Sequence, residues 1–306
     1  MLAVAGANLD AVDSQGHTAL LWASYKGLEI IMKILLENGA DPTIADPTGR
    51  LPLHWTGRLD SPTCTKFLLE ASPKWTINFQ DSNERLAPVH WAIAANKIAS
   101  TQVMLEYGAD PAVMDIMGRT AINYAAHYGA TECMKLILDI RKGAEMVRDA
   151  HGRTGLHMCC GATGSMETVS LLMSYPLTDI NATDRQLMTP LHWAAEFNHP
   201  DLAVHLLEHG ARLDPKNEAD ETPSDLAQKK GNYEVLMALD GYRNGDHAND
   251  ANDDRAAMIG DKQKNVKRLL VVQAKRANSA ELAPASKKKT SAGKKKSERS
   301  SACTIS

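Results

Sequence analysis

The stretch Asp184–Lys216 reads D-R-Q-L-M-T-P-L-H-W-A-A-E-F-N-H-P-D-L-A-V-H-L-L-E-H-G-A-R-L-D-P-K. It opens with Thr189-Pro190-Leu191-His192, continues with Trp193-Ala194-Ala195 and closes with Leu206-Leu207 and Gly210-Ala211. The same order recurs along most of the chain. Units aligned on their first residue begin at Asp13, Asp46, Asp81, Asp115, Asp149, Asp184 and Asn217, so successive gaps are 33, 35, 34, 34, 35 and 33 residues. A fixed period in this range marks a stack of repeated supersecondary units.

Chemistry inside one unit defines its parts. The leading Asp or Asn starts a tight turn, and a Gly three residues on (Gly16, Gly49, Gly118, Gly152) permits positive φ. Thr-Pro begins a first helix, with Thr at the cap and Pro in the first turn. Small pairs such as Ala23-Ser24, Ala125-Ala126 and Ala194-Ala195 let neighbouring helices approach. A second helix ends in Leu35-Leu36 or Leu206-Leu207, and Gly39-Ala40, Gly108-Ala109 or Gly210-Ala211 closes it with a C-terminal glycine. A β-turn plus two antiparallel helices every ~33 residues is the ankyrin pattern. The chain resembles the ankyrin-repeat family, and Pro-Leu-His-Trp with Thr-Pro-Leu-His-Trp-Ala-Ala is similar to the wording of inversin-type arrays. The resemblance implies an all-α solenoid that binds protein through a concave surface of turn tips and first helices.

The units divide the chain as follows. Residues 1–12 are half a repeat, with Gly6-Ala7-Asn8 matching Gly39-Ala40-Asp41; because an uncapped end exposes its core face, the expectation is a truncated start, the alternative being that something else covers that face. Full repeats span 13–45, 46–80, 81–114, 115–148, 149–183 and 184–216, and an atypical seventh spans 217–245, with Ser224-Asp225 replacing Leu-His. Within them, Pro62 is predicted to open a second helix and 71–79 to be extended around Pro73 and Trp75. One extra residue falls in the turn after Asp81, the second helix of repeat four lengthens through Asp139–Gly143, and Gly161–Ser165 forms a long helix–helix turn. Residues 246–272 read as a degenerate repeat or capping helices, and 273–306 as a disordered basic tail.

Hydrophobic content of 43% suits a continuous inter-helix core, and no apolar run approaches the ~20 residues of a membrane span. No secretory signal begins the chain, and Cys64, Cys133, Cys159, Cys160 and Cys303 lack zinc-type or disulfide spacing. These features predict a reduced, intracellular protein, in which the sequon Asn181-Ala182-Thr183 carries no sugar. The net charge of −3 hides a split: from Lys262 onward 13 Lys/Arg and 2 Glu give +11, leaving −14 on the first 261 residues. An acidic body with a basic tail points to two different partners.

His54, His90, His157 and His192 occupy the motif position and are expected to be structural. Trp22, Trp55, Trp91, Tyr124 and Trp193 take the next position and read as inter-repeat core. Docking residues are expected at the turns (His17, Arg50, Arg119, Arg153) and on first helices (Tyr25, Lys26, His127, Tyr128, Glu196, Phe197). His205-Leu206-Leu207-Glu208-His209 matches H-x-x-E-H formally, but its leucine pair is the repeat's own and no cleft is expected on an outer helix, so no zinc enzyme is read from it. Cys159-Cys160 falls on the small pair and is expected to be buried. No phosphate-cradling loop or nucleophile elbow occurs. No enzymatic activity, cofactor, metal or nucleic-acid partner is expected.

The sharpest signal outside the repeats is Cys303-Thr304-Ile305-Ser306, a CaaX-like ending whose Ser favours farnesyl. Lys287, Lys288, Lys289, Lys294, Lys295, Lys296 and Arg299 lie upstream. A prenyl group added by a prenyltransferase, together with a polybasic patch, anchors stably to an anionic leaflet where one lipid alone does not. The expectation is a protein-binding adaptor held on the cytosolic face of a membrane. The rival readings are a soluble or nuclear regulator using the lysines for import, and an ordinary solvated tail.

Overall fold

The computed structural model describes residues 6–244. The predicted tail features, Cys303 and the lysines among them, and the segment 246–272 lie outside the described residues. Fourteen α-helices and two 3-10 turns make up the described residues, with no strand among them. The helices alternate between two layers. The first layer holds α1 (Ala19–Lys26), α3 (Pro52–Gly57), α5 (Pro88–Ala94), α7 (Ala121–Tyr128), α9 (Gly155–Gly161), α11 (Pro190–Glu196) and α13 (Pro223–Lys230). The second holds α2 (Glu29–Glu37), α4 (Pro62–Ala71), α6 (Ile98–Glu106), α8 (Thr131–Ile140), α10 (Met166–Ser174), α12 (Pro200–Glu208) and α14 (Tyr233–Asn244). Each helix packs on its own partner and on the same-layer helix of the next unit. This is an all-helical ankyrin-repeat solenoid.

Local chemistry sets the helix starts. Thr18, Thr189 and Thr222 accept hydrogen bonds from the third following backbone N–H, as N-caps do. Pro52, Pro62, Pro88, Pro190, Pro200 and Pro223 fill the first helical turn, where a missing N–H costs nothing. The core runs the length of the array as one cluster, with Leu20, Met32, Leu53, Leu68, Ile93, Met104, Ile122, Met134, Leu156, Leu172, Leu191 and Leu206 almost wholly buried. Cys159 and Cys160 are buried in it, and burial pushes the Cys160 thiol up to about 12, so neither is a ready nucleophile.

The turns form their own ladder. Asp13, Asp46, Asp115, Asp149, Asp184 and Asn217 each accept two backbone N–H groups from within their turn at one side-chain oxygen. Successive turns then join through single backbone bonds: Ser82 to Thr48, Ile116 to Glu84, Ala150 to Met117, Arg185 to His151 and Glu218 to Gln186, at 2.9–3.0 Å.

Two local expectations are corrected. Residues 71–79 are not extended: Lys74–Asn78 form a 3-10 turn behind Pro73, which Thr76 Oγ1 closes onto the Pro73 carbonyl at 2.8 Å. The turn buries Thr76 and Ile77 and leaves Trp75 exposed. Nor does the second helix of repeat four run on to Gly143. It ends at Ile140, and Gly143 at φ 85° leads into the 3-10 turn Ala144–Met146.

Candidate protein-docking surface

The motif histidines lie beneath the turns and are completely buried. In each, Nδ1 accepts the backbone N–H three residues before it (Leu51, Ala87, Thr154 and Thr189, 3.0–3.1 Å). That bond fixes the proton on Nε2, which donates to a carbonyl further along: Leu86, Val113, Met188 and Glu221, at 3.0–3.1 Å. Burial holds His54, His90 and His157 down to about 4 and lowers His192 in the same direction. The rings are therefore neutral braces at ordinary pH and offer no solvent-facing atom. In α7 the position is Asn123, which accepts from Thr120 N through Oδ1 but leaves its buried Nδ2 without a partner.

The aromatic stripe next to them, expected to be core, is core only in part: Tyr124 belongs to the buried cluster and Trp193 packs against it. Only Tyr124 is buried; Trp22 is 40% exposed and Trp55, Trp91 and Trp193 are half-buried. Their rings line the turn side of the first helices. Three of the rings are tethered to their turns. Trp22, Trp91 and Trp193 donate their indole N–H to the second carboxylate oxygen of their own turn Asp, namely Asp13, Asp81 and Asp184, at 2.8–3.3 Å. The bond satisfies the indole N–H of an amphipathic ring that is only partly covered. Tyr25, Tyr128 and Phe197 extend the stripe, exposed at 45–47%. Tyr25 meets Trp55 edge-on at 5.2 Å, and Phe197 stacks on Trp193 at 5.7 Å.

Cations interleave with these rings. Lys26 lies over Tyr25, Arg119 over Tyr124 and Arg153 over Trp193, at 4.8–5.6 Å. Arg50 lies over both Trp55 and Trp91, at 5.3 and 4.6 Å. Arg58, which the sequence pattern did not mark, covers Trp91 at 5.6 Å. It follows the short helix α3, where Thr56-Gly57 replaces the usual small pair. That irregularity was the available signal.

The structure separates the predicted docking residues into two groups. Arg119 and Arg153 are tied to the buried carboxylates of Asp115 and Asp149 at 2.7 and 2.6 Å, and Glu196 pairs with Lys230 at 2.9 Å. Burial works to raise the Asp115 carboxyl, but bonds from the Arg119 backbone, the Tyr124 hydroxyl and the guanidinium outweigh it and hold the group below the usual range. Tyr25, Arg50, His127, Tyr128 and Phe197 carry no ion pair among the described residues, and His17 sits half-buried against Trp22 at 5.3 Å.

His205, Glu208 and His209 also converge, with donor atoms within 4.8 Å of one another. They lie on α12 and its cap, in the other helix layer. His209 Nδ1 donates to the His205 carbonyl at 2.8 Å and His205 Nε2 meets Ser170 Oγ at 3.1 Å, so this group is no part of the aromatic face. Among the described residues no helix is long and apolar enough to cross a membrane.

The chain is similar to human inversin, with 31% identity over 185 residues, covering 59% of this chain and 17% of that protein. It is 25% identical to human palmitoyltransferase ZDHHC13 over 239 residues, 78% of this chain and 38% of that one; the likeness is of the ankyrin region. It is 30% identical to ankyrin repeat protein nuc-2 of Neurospora crassa over 232 residues, 74% and 21% of the two chains. The match thus spans less than two fifths of each relative. The human ASB11 ankyrin repeat domain has the same fold, with a TM-score of 0.64 at 24% identity, covering 73% of this chain and 96% of that one. The family profile described as ankyrin repeats (3 copies) matches residues 1–81, 58–150, 89–184, 140–217 and 156–249, and the chain belongs to the ankyrin-repeat family.

Proposed function

We propose that this chain is a non-catalytic adaptor that holds a protein partner across the turn-side face and is tethered to a membrane by its tail. The observation that supports docking is the half-exposed row Trp22, Tyr25, Trp55, Trp91, Tyr128, Trp193 and Phe197, interleaved with Lys26, Arg50 and Arg58. Trp, Tyr and Arg are the residues that carry most binding energy at protein interfaces, because large rigid rings bury area at low entropic cost. The test compares capture of partner proteins by the wild-type chain, a Tyr25→Ser/Tyr128→Ser/Phe197→Ser variant and an outer-layer variant, Tyr107→Ser/Ile140→Ser. Loss only in the first variant supports the reading; equal loss in both, or loss in neither, overturns it.

Tethering is supported by the sequence of the tail. Provided that Ser306 ends the natural chain, Cys303 would take the prenyl group, and Lys287, Lys288, Lys289, Lys294, Lys295, Lys296 and Arg299 would add attraction of about 1 kcal/mol each to an anionic leaflet. Cys303→Ser should move the protein to the soluble fraction of a eukaryotic cell. An intact mass lacking the prenyl group rules tethering out, and nuclear accumulation that depends on the lysines favours the import reading.

A further inference from the structure

The repeats are internal controls for one another, and repeat two departs from them. In five other units the second oxygen of the turn Asp is occupied: by an indole N–H at Asp13, Asp81 and Asp184, by both the Tyr124 hydroxyl and Arg119 at Asp115, and by Arg153 at Asp149. Repeat two has both kinds of candidate, Arg50 and Trp55, at the corresponding positions after Asp46. Neither side chain makes that bond among the described residues; the Asp46 carboxylate receives only Thr48 and the Arg50 backbone N–H there, all at its first oxygen. The Arg50 guanidinium lies instead against the faces of Trp55 and Trp91, with its Nε buried and without a hydrogen-bond partner. Arg58 flanks it on Trp91, also with no carboxylate within 4.0 Å among the described residues.

We infer that Arg50, with Arg58, Trp55 and Trp91, is an anchoring pocket for a Glu or Asp side chain of the partner polypeptide. The inference rests on the turn-side face being the docking surface. The Arg50 guanidinium is confined by two rings inclined at 61° to one another, a guanidinium grips a carboxylate through charge-assisted N–H bonds, and the half-buried setting strengthens such a bond. The buried Nε has no hydrogen-bond partner among the described residues, so no carboxylate there competes for this guanidinium. The pocket does not suit a cationic ligand: the ring faces that would receive one already carry guanidinium groups. It is also a cationic spot on a chain whose first 261 residues carry −14, so charge favours an acidic partner residue at this pocket.

The experiment pans the full chain against a displayed library of random peptides and measures the enriched sequences as synthetic peptides by fluorescence anisotropy. The expected result is a shared Glu or Asp, with about tenfold or greater loss of affinity when it is changed to Gln. Arg50→Gln in the protein should cause a similar loss, and the two changes together should cost little more than either alone, because they remove one contact. Arg58→Gln alters a residue held only by its ring contact, so it keeps the test decisive should Arg50→Gln fail to fold; it should also weaken binding. Enriched peptides without an acidic residue, or binding unchanged in folded Arg50→Gln and Arg58→Gln, overturn the pocket while leaving the docking surface standing. Failure of the wild-type chain to enrich any sequence overturns both.

Discussion

His157 donates its Nε2–H to the main-chain carbonyl of Met188, 3.0 Å away in the next unit, while its Nδ1 accepts from Thr154. Both bonds require the neutral ring. Burial first, against weaker help from the Met188 carbonyl and Asp184, holds the ring down to about 4, and His54 and His90 share that value. The unfolded chain titrates near 6.5, so on acidification it takes up protons before the folded chain does. Stability from these rings is fully present above pH 6.5 and is lost as pH falls from 6.5 towards 4, by up to about 3 kcal/mol per ring. Urea midpoints measured between pH 7.5 and 5 should fall steeply. His157→Ala should cost about 3 kcal/mol at pH 7.5 and flatten that dependence by one ring; a midpoint independent of pH over this range would contradict the brace.

The braces were legible in the sequence because their geometry is local: Thr154 and His157 sit three apart at a helix start, and the period supplies the neighbour. The aromatic stripe was misread in part because position in a repeat does not reveal how far neighbouring side chains cover a ring. Trp22 and Tyr124 share a register, yet one is 40% exposed and the other 4%. The Lys74–Asn78 turn escaped because Pro73 permits both extended and 3-10 continuations, and only the burial of Ile77 decides between them. Arg58 escaped because its value depends on Trp91, a residue 33 positions away.

In repeats six and seven the turn position three residues after the leading residue is left-handed although it is not glycine. Leu187 adopts φ 58° there and is 48% exposed. A branched side chain pays in that region what glycine does not, so Leu187→Gly should raise stability by about 1 kcal/mol after glycine's entropy is counted. At Gly49 the change runs the other way: φ is 78° and an added Cβ would lie 2.8 Å from the Ser82 backbone nitrogen. Gly49→Ala should therefore cost about 2 kcal/mol or more. Thermal melts of the pair check both signs.

Close packing links α9 to the docking face. A Cβ on Gly161 would strike the six-membered ring of Trp193, 2.7 Å from its Cζ3. Trp193 is tethered to Asp184 and stacked on Phe197, so it cannot yield alone. Gly161→Ala should cost about 1–3 kcal/mol and shift the Trp193 and Phe197 rings together, weakening any partner that uses them. The check is a melt combined with the fluorescence of a variant retaining Trp193 as its single tryptophan; an unmoved spectrum with unchanged stability would refute the coupling.

Stability should be graded along the array rather than uniform. In α2, Ile30, Ile31 and Ile34 are exposed at 77%, 47% and 46%, so the helix pair α1–α2 buries one side of its apolar surface and leaves the other in water. The central pairs are covered on both sides, with Ile93, Ile122, Met134 and Leu156 essentially inaccessible. Repeat arrays are held by nearest-neighbour interfaces, so a unit with one such interface opens at lower free energy than a unit with two. Repeat one also has Leu21 at the position that His54, His90, His157 and His192 hold in four other units, and therefore lacks an imidazole brace to the unit after it. Amide exchange in the full chain should be fastest in α1 and α2 and slowest in α5 to α9. Replacing Ile30 and Ile34 by Gln should leave the slow central amides untouched, because those side chains bury little to lose. Protection that is uniform from α1 to α9, or greatest in α2, would show that something else in the chain covers the isoleucines.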